Sequence, residues 1–299
     1  MNIHQLAQEI TRIHSDLQIG PALPLTHVEA SAGSEAYQAS LMAASSLGFL
    51  EHDAQCIAQA WEAQSQRTGV FDVQAWPCEP ADFGLATTPS AQAFAPCPQA
   101  LGLYAVLPDA AWVARMVDLG LPTVQLRFKS DDAQAVQREV QAAVKAVQGS
   151  QSLLFINDHW QAAIDAGAYG VHLGQEDMQD APLTRIREAG LRLGLSSHGY
   201  AEMLKAAKQE PSYMALGAVF PTTLKRMATA PQGLGRLKHY ARLMRHMPLV
   251  AIGGIDAAAM PAVLQTGVGS VAVVRAITGA EDVAASVAQL QRLMAQALT

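Results

Sequence analysis

Two groups of polar residues follow two short apolar stretches in the middle of the chain. Asn157 and Asp158 come directly after the first stretch, and Asp177 lies shortly after the second. Carboxylate oxygens are preferred ligands of hard divalent cations. In a parallel barrel, neighbouring strand ends open onto the same face, so Asp158 and Asp177 would converge from adjacent loops. This spacing predicts a metal site formed by the two carboxylates.

The elements that must position these residues have the pattern of a β-α-β unit. The apolar stretches Leu153–Ile156 and Gly170–Leu173 flank a helix-like segment with alanines along one side, and Gly167 ends that segment. Units of this kind build parallel sheets that are covered by helices.

Strand and helix patterns alternate from residue 101 to the end of the chain. Such an alternation, with eight strands and eight helices, predicts an α/β fold, the (β/α)8 TIM barrel. An open doubly wound sheet is the alternative. It usually carries a glycine-rich first turn, whereas the first strand here ends in Leu107-Pro108-Asp109. We expect strands at 101–107, 123–127, 153–156, 170–173, 192–196, 213–220, 249–252 and 270–274, and helices at 110–119, 131–148, 159–166, 182–189, 199–209, 234–246, 257–266 and 281–297.

Three polar side chains alternate with apolar ones at the end of the second predicted strand. Gln125, Arg127 and Lys129 therefore point to one side. Two cations and an amide that face one way suit an oligo-anion such as diphosphate. A solvated strand edge would explain one such residue more readily than three beside Asn157.

Further polar groups follow the later strands. Hydroxyls and a lysine after the sixth strand have the composition of a flexible loop that contacts phosphate, and paired glycines after the seventh let backbone N–H groups approach an anion. A phosphate site in the seventh and eighth loops is a recurrent barrel feature. These residues are Ser196 and His198 after strand five, Thr222, Thr223 and Lys225 after strand six, Gly253 and Gly254 after strand seven, and Val274 and Arg275 after strand eight.

Two anion sites, one of them assisted by a metal, suit a transferase that releases diphosphate. The cation would neutralise the charge that develops on the leaving group. The sequence has no Ser-His-Asp order and no zinc signature. Catalysis by positioning and electrostatics is therefore favoured over an activated nucleophile.

The composition excludes several other classes of protein. Of the 299 residues, 50% are hydrophobic and 15% are charged, which allows a large core and excludes disorder throughout. A net charge of −6 argues against a nucleic-acid surface, because phosphate backbones require clustered cations. No nucleic-acid partner is therefore expected. Small-molecule substrates are the partners that the two predicted anion sites imply, and a homo-oligomer is compatible with the sequence.

The sequence also predicts a cytoplasmic protein. No stretch approaches the roughly 20 apolar residues of a membrane span, and the N-terminus lacks the basic and apolar regions of a signal peptide. Cys56, Cys78 and Cys97 are odd in number and form no C-x-x-C pair, so a disulfide framework is not expected.

Residues 1–76 have the pattern of a small helical module. Apolar residues recur at helical spacing in 2–17, and further helices are expected at 34–47 and 53–66. Prolines scattered among Ala, Thr and Ser over 77–98 are typical of an extended linker. We therefore divide the chain into a helical extension at 1–76, a linker at 77–98 and a barrel domain at 99–299.

The motifs of the barrel region together resemble thiamine-phosphate synthase over about 100–298. They are Q-L-R-F-K at 125–129, F-I-N-D at 155–158, G-V-H-L-G-Q-E-D at 170–177, G-L-S-S-H at 194–198, F-P-T-T-L-K at 220–225, A-P-Q-G-L at 230–234 and A-I-G-G-I at 251–255. The resemblance implies a TIM barrel that joins hydroxymethylpyrimidine diphosphate to a thiazole phosphate, releases diphosphate and uses Mg²⁺. It also implies that diphosphate leaves first, so that the thiazole nitrogen captures a pyrimidine carbocation.

The resemblance assigns roles to individual positions. Asp158 and Asp177 would bind Mg²⁺. The residues expected to hold the pyrimidine diphosphate are Gln125, Arg127, Lys129, Asn157, Ser196 and Lys225. Those expected to take part in catalysis are Arg127, Lys129, Ser196 and Lys225. Those at the thiazole phosphate are Thr222, Gly254 and Val274.

Two positions depart from the family pattern, and both fall on the thiazole-phosphate side. Leu224 replaces a Thr of the flap, and Arg275 replaces a Ser after the last strand. We expect Arg275 to supply a charge-assisted contact that offsets the lost hydroxyls. A thiazole tautomerase on the same barrel and a catalytically degenerate binding module are the alternatives. In the extension, residues 31–48 faintly resemble the tail of a hydroxymethylpyrimidine phosphate kinase, with Glu35 in place of a catalytic Asp, which indicates a remnant.

Overall fold

A computed structural model describes residues 1–20, 33–222 and 229–297 of the chain. Eight parallel strands form a closed barrel in which each strand pairs with its neighbours in sequence and the last strand pairs with the first. The predicted TIM barrel is therefore confirmed. The strands are β1 Gly102–Leu107, β2 Thr123–Leu126, β3 Leu153–Asn157, β4 Gly170–Leu173, β5 Arg192–Ser197, β6 Tyr213–Leu216, β7 Leu249–Ile252 and β8 Ser270–Val273.

Helices cover the outside of the barrel. The barrel helices are α4 Ala110–Asp118, α5 Ala133–Val147, α6 Trp160–Ala166, α7 Gln175–Asp180, α8 Leu183–Glu188, α9 Tyr200–Ala207, α10 Gly233–Leu243, α11 Met260–Leu264, α12 Arg275–Thr278 and α13 Val283–Ala297. Within the described residues, none of the helices is long and apolar enough to cross a membrane.

The sixth strand is shorter than the expected 213–220, and the sequence prediction is wrong there. The chain leaves the regular ladder at Gly217, where the backbone lies too close to β7 for a side chain. A Cβ on Gly217 would lie 2.1 Å from the carbonyl oxygen of Ile252. The short helix α7 was not expected either, and it places Glu176 and Asp177 in its first turn.

The lower interior of the barrel is filled by aromatic rings. Tyr104, Phe155 and Tyr213 pack together, with the centroids of Phe155 and Tyr213 5.0 Å apart. Gly194 makes room for this packing, since a Cβ there would lie 2.2 Å from Cζ of Tyr213. The rings close the bottom of the barrel, and the polar residues lie above them at the carboxyl ends of the strands.

The N-terminal third folds as helices that pack against the barrel. These are α1 Ile3–Ile13, α2 Glu35–Ser46 and α3 Glu51–Thr68, with short 3-10 helices at Ser15–Leu17 and Pro80–Phe83. The three expected helices are present. Trp61 is fully buried, and its indole N–H donates to the carbonyl of Asp72.

Residues 77–98 lie along the surface of the barrel. The Phe94 side chain is buried, its amide donates to the carbonyl of Glu210, and the hydroxyl of Ser212 donates to the carbonyl of Ala95. The division into extension, linker and barrel domain stays a prediction.

Candidate active site

A chain of hydrogen bonds runs from the aromatic interior to the rim of the barrel. The hydroxyls of Tyr104 and Tyr213 are 2.8 Å apart, and Nδ1 of His172 lies 2.7 Å from the Tyr213 hydroxyl. Nε2 of the same imidazole lies 2.8 Å from the Ser196 hydroxyl. These residues come from four strands, β1, β6, β4 and β5. The predicted site residue Ser196 is therefore tied to the barrel core.

Burial of the two tyrosines affects the protonation of this chain. It raises the pKa of both phenols well above the usual value, so both hydroxyls stay protonated. A neutral imidazole donates from one ring nitrogen and accepts at the other. If Tyr213 donates to Nδ1, then Nε2–H of His172 donates to Ser196. The Ser196 hydroxyl is then left as a donor toward the barrel mouth.

Two amides flank Ser196 and the mouth. Nε2 of Gln175 donates to the carbonyl of Ser196 at 2.7 Å, which fixes the end of β5 from the β4 side. Gln125 is 4% exposed, and its amide nitrogen has no hydrogen-bond partner among the described residues. Because buried polar groups are normally paired, this unpaired amide inside the barrel is a candidate donor to a ligand that would enter there.

Two cations follow β2 at the same rim. The backbone N–H of Arg127 donates to the carbonyl of Leu107 at 2.7 Å, which extends the pairing with β1 past the end of the ladder. Arg127 is half-buried and Lys129 is exposed. Neither Arg127 nor Lys129 forms an ion pair with another of the described residues.

The two predicted metal ligands lie on neighbouring loops. Asp158 follows β3, and its amide donates to the carbonyl of His172 in β4 at 3.0 Å. Asp158 has φ +61°, which is a strained conformation for a residue other than glycine. Asp177 lies in the first turn of α7, where its Oδ2 accepts from the amide of Gly174 at 3.3 Å. Asn157, the last residue of β3, pairs in register with His172.

The donor chemistry at this rim fits a hard cation, since both exposed carboxylates offer oxygen ligands. In the described ranges, no three His, Cys, Asp or Glu side chains form a group that could hold a metal ion.

The glycines after β7 bring the chain that follows β6 close to the rim. The amide of Phe220 donates to the carbonyl of Gly253 at 2.9 Å. Gly254 has φ +66°, and a Cβ there would lie 2.7 Å from the carbonyl oxygen of Pro221. The half-buried Thr222 follows directly. Lys225, Thr223 and Leu224 lie outside the described residues.

The eighth strand ends at Val273, one residue earlier than expected. Val274 is half-buried and precedes α12, where its carbonyl accepts from the amide of Ile277 at 3.0 Å. Arg275 begins that helix and is exposed. The predicted site residues that are described therefore all lie at carboxyl ends of barrel strands or in the loops that follow them. The roles assigned to them remain predictions.

Sequence reasoning did not single out His172, Tyr213 or Gln175. A signal for His172 was present, because it alternates with Gly170 on one side of β4 while Val171 and Leu173 occupy the other. A histidine at an inward position of a barrel strand must find polar partners. The identity of those partners depends on the strand stagger, which the sequence does not reveal.

The comparisons with known proteins agree with this arrangement. The family model described as Thiamine monophosphate synthase matches residues 103–277. A Thiamine-phosphate synthase of Neisseria meningitidis serogroup A is 54% identical over 200 residues, which cover 67% of this chain and 98% of that protein. One from Escherichia coli is 50% identical and covers 66% of this chain and 93% of that protein.

Solved structures extend the comparison. A thiamine phosphate pyrophosphorylase from Pyrococcus furiosus has a TM-score of 0.60 and 29% identity, over 67% of this chain and 98% of that one. A 3-hexulose-6-phosphate synthase from Salmonella typhimurium, with a TM-score of 0.52 and 16% identity over 66% of this chain and 99% of that one, shares the fold alone. With a family model that spans more than half of its length and relatives at about 50% identity, the chain belongs to the thiamine monophosphate synthase family.

Proposed function

We propose that this protein is a thiamine-phosphate synthase, a transferase that joins a hydroxymethylpyrimidine diphosphate to a thiazole phosphate. The observation that carries the proposal is the polar rim of consecutive strands. Cations follow β2, carboxylates follow β3 and β4, and a hydrogen-bonded serine ends β5. This order supports the proposal, because a metal-bound diphosphate would need cationic and carboxylate side chains at neighbouring strand ends.

The reaction breaks the C–O bond between the pyrimidine methylene and diphosphate and forms a C–N bond to the thiazole. The leaving group takes the bonding electrons, and the thiazole nitrogen supplies its lone pair to the cationic carbon. This nitrogen carries no proton that must be removed, so the reaction needs no general base. Rate acceleration must come from holding the reactants in line and stabilising the departing charge.

Arg127 and Lys129 are the residues we assign to the diphosphate. They carry the charge that a departing diphosphate requires and have no competing carboxylate among the described ion pairs. Mg²⁺ is usually held by one or two carboxylates together with substrate phosphates. Asp158 and Asp177 would hold it here, and a bound Mg²⁺ would neutralise charge on the leaving group. Lys225, which lies outside the described residues, keeps its predicted role.

Ser196 is the donor we assign to the leaving-group oxygen. Its hydrogen bond to His172 fixes its oxygen, and the arrangement in which Tyr213 donates to Nδ1 would leave the serine proton for the leaving group. Gln125 and Asn157 at the adjacent strand ends would bind polar groups of the pyrimidine. The unpaired buried amide of Gln125 supports this role.

The thiazole phosphate would lie across the barrel, at the ends of β6, β7 and β8. Gly254 leaves its backbone N–H accessible to an anion, since it has no side chain and adopts a positive φ. Thr222 and Val274 flank it at the neighbouring strand ends, and Arg275 adds a positive charge beside them. We also propose a cytoplasmic location, in keeping with the free cysteines.

The test is a product assay with purified protein, both substrates and Mg²⁺. Thiamine phosphate as product supports the synthase. Tautomerised thiazole phosphate without condensation would contradict it in favour of the tautomerase. Binding of either substrate without turnover would contradict it in favour of a degenerate binding module.

A further inference from the structure

The N-terminal third of the chain contacts two barrel helices at their first turns. Helix α9 follows β5, which carries Ser196, and α10 follows the segment after β6. In a TIM barrel, helices begin at the end of the barrel where the active-site loops lie. The contacts therefore fall close to the candidate site, on the helices that follow two of its loops.

Asp53 of α3 supplies the cap that α9 lacks. The N-cap residue of α9 is Gly199, which has no side chain to accept a hydrogen bond. Instead, Oδ1 of Asp53 accepts from the amide of Ala201 at 2.8 Å. A Cβ on Gly199 would lie 2.2 Å from Oδ2 of Asp53, so the glycine leaves the space that this carboxylate occupies. N-cap residues normally provide this bond from within their own helix.

Asp53 is buried, at 8% exposure. Burial raises its pKa, while the Ala201 amide and the charge of Arg236 act against that rise. A buried carboxylate without partners is strongly unfavourable. Because of these contacts, the position of α9 depends on that of α3, and the position of α3 depends on that of α9.

Arg236 makes a corresponding connection on α10. Its Nε donates to the carbonyl of Leu17 and its Nη2 to the carbonyl of Leu47, each at 2.9 Å. The guanidinium carbon lies 3.6 Å from the centroid of the Phe49 ring. Arg236 is 3% exposed, so both bonds are made away from solvent. Since these carbonyls lie at the ends of N-terminal helices, α10 is held by the same third of the chain.

A third contact strengthens the connection at α9. The indole N–H of Trp76 donates to the hydroxyl of Tyr200 at 2.9 Å, and Phe83 stacks on the Tyr200 ring with an interplanar angle of 4°. Tyr200 is the first residue of α9 and is 1% exposed. The first turn of α9 is therefore enclosed by residues of the N-terminal third.

We propose that the N-terminal third positions the active-site loop after β5 and the start of α10, with Asp53 as the positioning residue that fixes the start of α9 and, through it, Ser196. This inference rests on the proposed function for its effect on turnover. Ser196 precedes Gly199 by three residues, so a shift of the first turn of α9 is transmitted along a short, ordered segment. Asp53 acts through this segment and does not touch substrate.

The first test compares Asp53→Ala with Asp53→Asn in the full chain. Asparagine keeps an oxygen acceptor for the Ala201 amide, and alanine removes it. We expect Asp53→Ala to lower kcat about tenfold and Asp53→Asn to restore it to within about threefold of wild type. Arg12→Ala is the matched control, because it breaks an exposed ion pair with Glu9 on α1, in the same third of the chain but away from α9. It should leave kcat unchanged. Equal kcat values for Asp53→Ala and wild type would overturn the proposal.

The second test does not depend on turnover, so it separates this inference from the proposed function. Amide hydrogen exchange is measured for the peptide that spans 196–207. We expect Asp53→Ala to raise its exchange rate about fivefold or more, because the first turn of α9 loses its cap, and Arg12→Ala to leave it unchanged. Unchanged exchange in Asp53→Ala would contradict the inference whatever the wild-type protein catalyses. Absence of turnover in wild type, with exchange altered as expected, would contradict the proposed function alone.

Discussion

Nε2 of His172 lies 2.8 Å from the hydroxyl of Ser196, and this pair joins the rim of the barrel to its interior. The other ring nitrogen is held by Tyr213, so the imidazole is fixed from both sides. A side chain held in this way gives the serine one orientation before substrate arrives. Preorganised donors of this kind are the main source of electrostatic catalysis.

Removal of the Tyr213 hydroxyl should weaken this orientation. In Tyr213→Phe, Nδ1 of the buried His172 loses this partner, which costs about 1–3 kcal/mol of stability. We expect kcat to fall about tenfold, with a smaller change in KM, because the serine donor acts on the leaving group. Turnover kinetics and thermal unfolding measure the two effects.

Tyr169→Phe is the control for this variant, because Tyr169 also packs on Phe155 but is not part of the chain that leads to Ser196. A Tyr213→Phe protein with wild-type kcat would show that the hydrogen-bonded chain has no catalytic role.

Replacement of Asp158 tests the metal assignment. We expect Asp158→Ala to abolish Mg²⁺-dependent turnover, by about a thousandfold or more, since the charge on departing diphosphate would lose its counter-ion. The fold should persist, because Asp158 is exposed and its side chain takes no part in core packing, although alanine keeps the unfavourable positive φ. Turnover is measured over a range of Mg²⁺ concentrations, with circular dichroism as the check on folding.

Asp165→Ala provides the comparison for Asp158→Ala. Asp165 is an exposed carboxylate of α6 that accepts from Gln161 and lies in the helix that follows Asp158. Its removal should leave turnover unchanged. Retained Mg²⁺-dependent activity in Asp158→Ala would contradict the assignment of Asp158 as a metal ligand.

Arg275 is expected to bind the thiazole phosphate in place of the serine found in the family pattern. In Arg275→Ser the charge-assisted contact is lost, so KM for the thiazole phosphate should rise about tenfold while KM for the pyrimidine diphosphate stays the same. Arg292→Ser, at an exposed position of α13, controls for the loss of one surface charge. A thiazole-phosphate KM that is unchanged or improved in Arg275→Ser would disprove the role.

The contact between the N-terminal third and α10 should weaken at acidic pH. Burial lowers the pKa of His239 from 6.5 to about 4. The nearby charges of His14, Arg242 and Lys238 lower this pKa further, whereas the charge of Asp16 raises it. The unfolded state therefore binds more protons than the folded state between these values. Stability contributed by neutral His239 is present above pH 6.5 and is lost as pH falls toward 4. Burial lowers the pKa of His14 in the same way.

Thermal unfolding of wild type and His239→Gln between pH 7.5 and 4.5 measures this effect. The melting temperature of wild type should fall more steeply with acid than that of the variant, because glutamine does not titrate. Parallel pH profiles for the two proteins would exclude His239 as a source of acid sensitivity.

The sequence was sufficient to predict the barrel fold and the polar residues at the carboxyl ends of its strands. Strand period and the polar residues at strand ends predicted β1 to β8, because the carboxyl ends of a parallel barrel share one face whatever the packing inside it. Asp158, Asp177 and Ser196 lie at the rim as expected, because their positions follow from strand ends alone, while their roles stay predictions.

The rest depended on packing that a linear pattern does not encode. The partners of His172 depend on the stagger of β4 against β5 and on the space that Gly194 leaves for Tyr213. The contact between Asp53 and α9 joins residues that are 148 apart in sequence. Neither the sequence around Asp53 nor that around Ala201 has a motif that predicts the contact. The end of β6 coincides with the close approach of Gly217 to Ile252, which again is a contact between strands.

The most direct test of the proposed function measures both products at once. Purified wild-type protein is given both substrates with Mg²⁺, and thiamine phosphate and released diphosphate are followed over the same time course. The proposal predicts that the two products appear in equal amounts and that both are lost when the divalent cation is chelated. Folded protein that releases diphosphate without forming thiamine phosphate, or that releases neither, would contradict it.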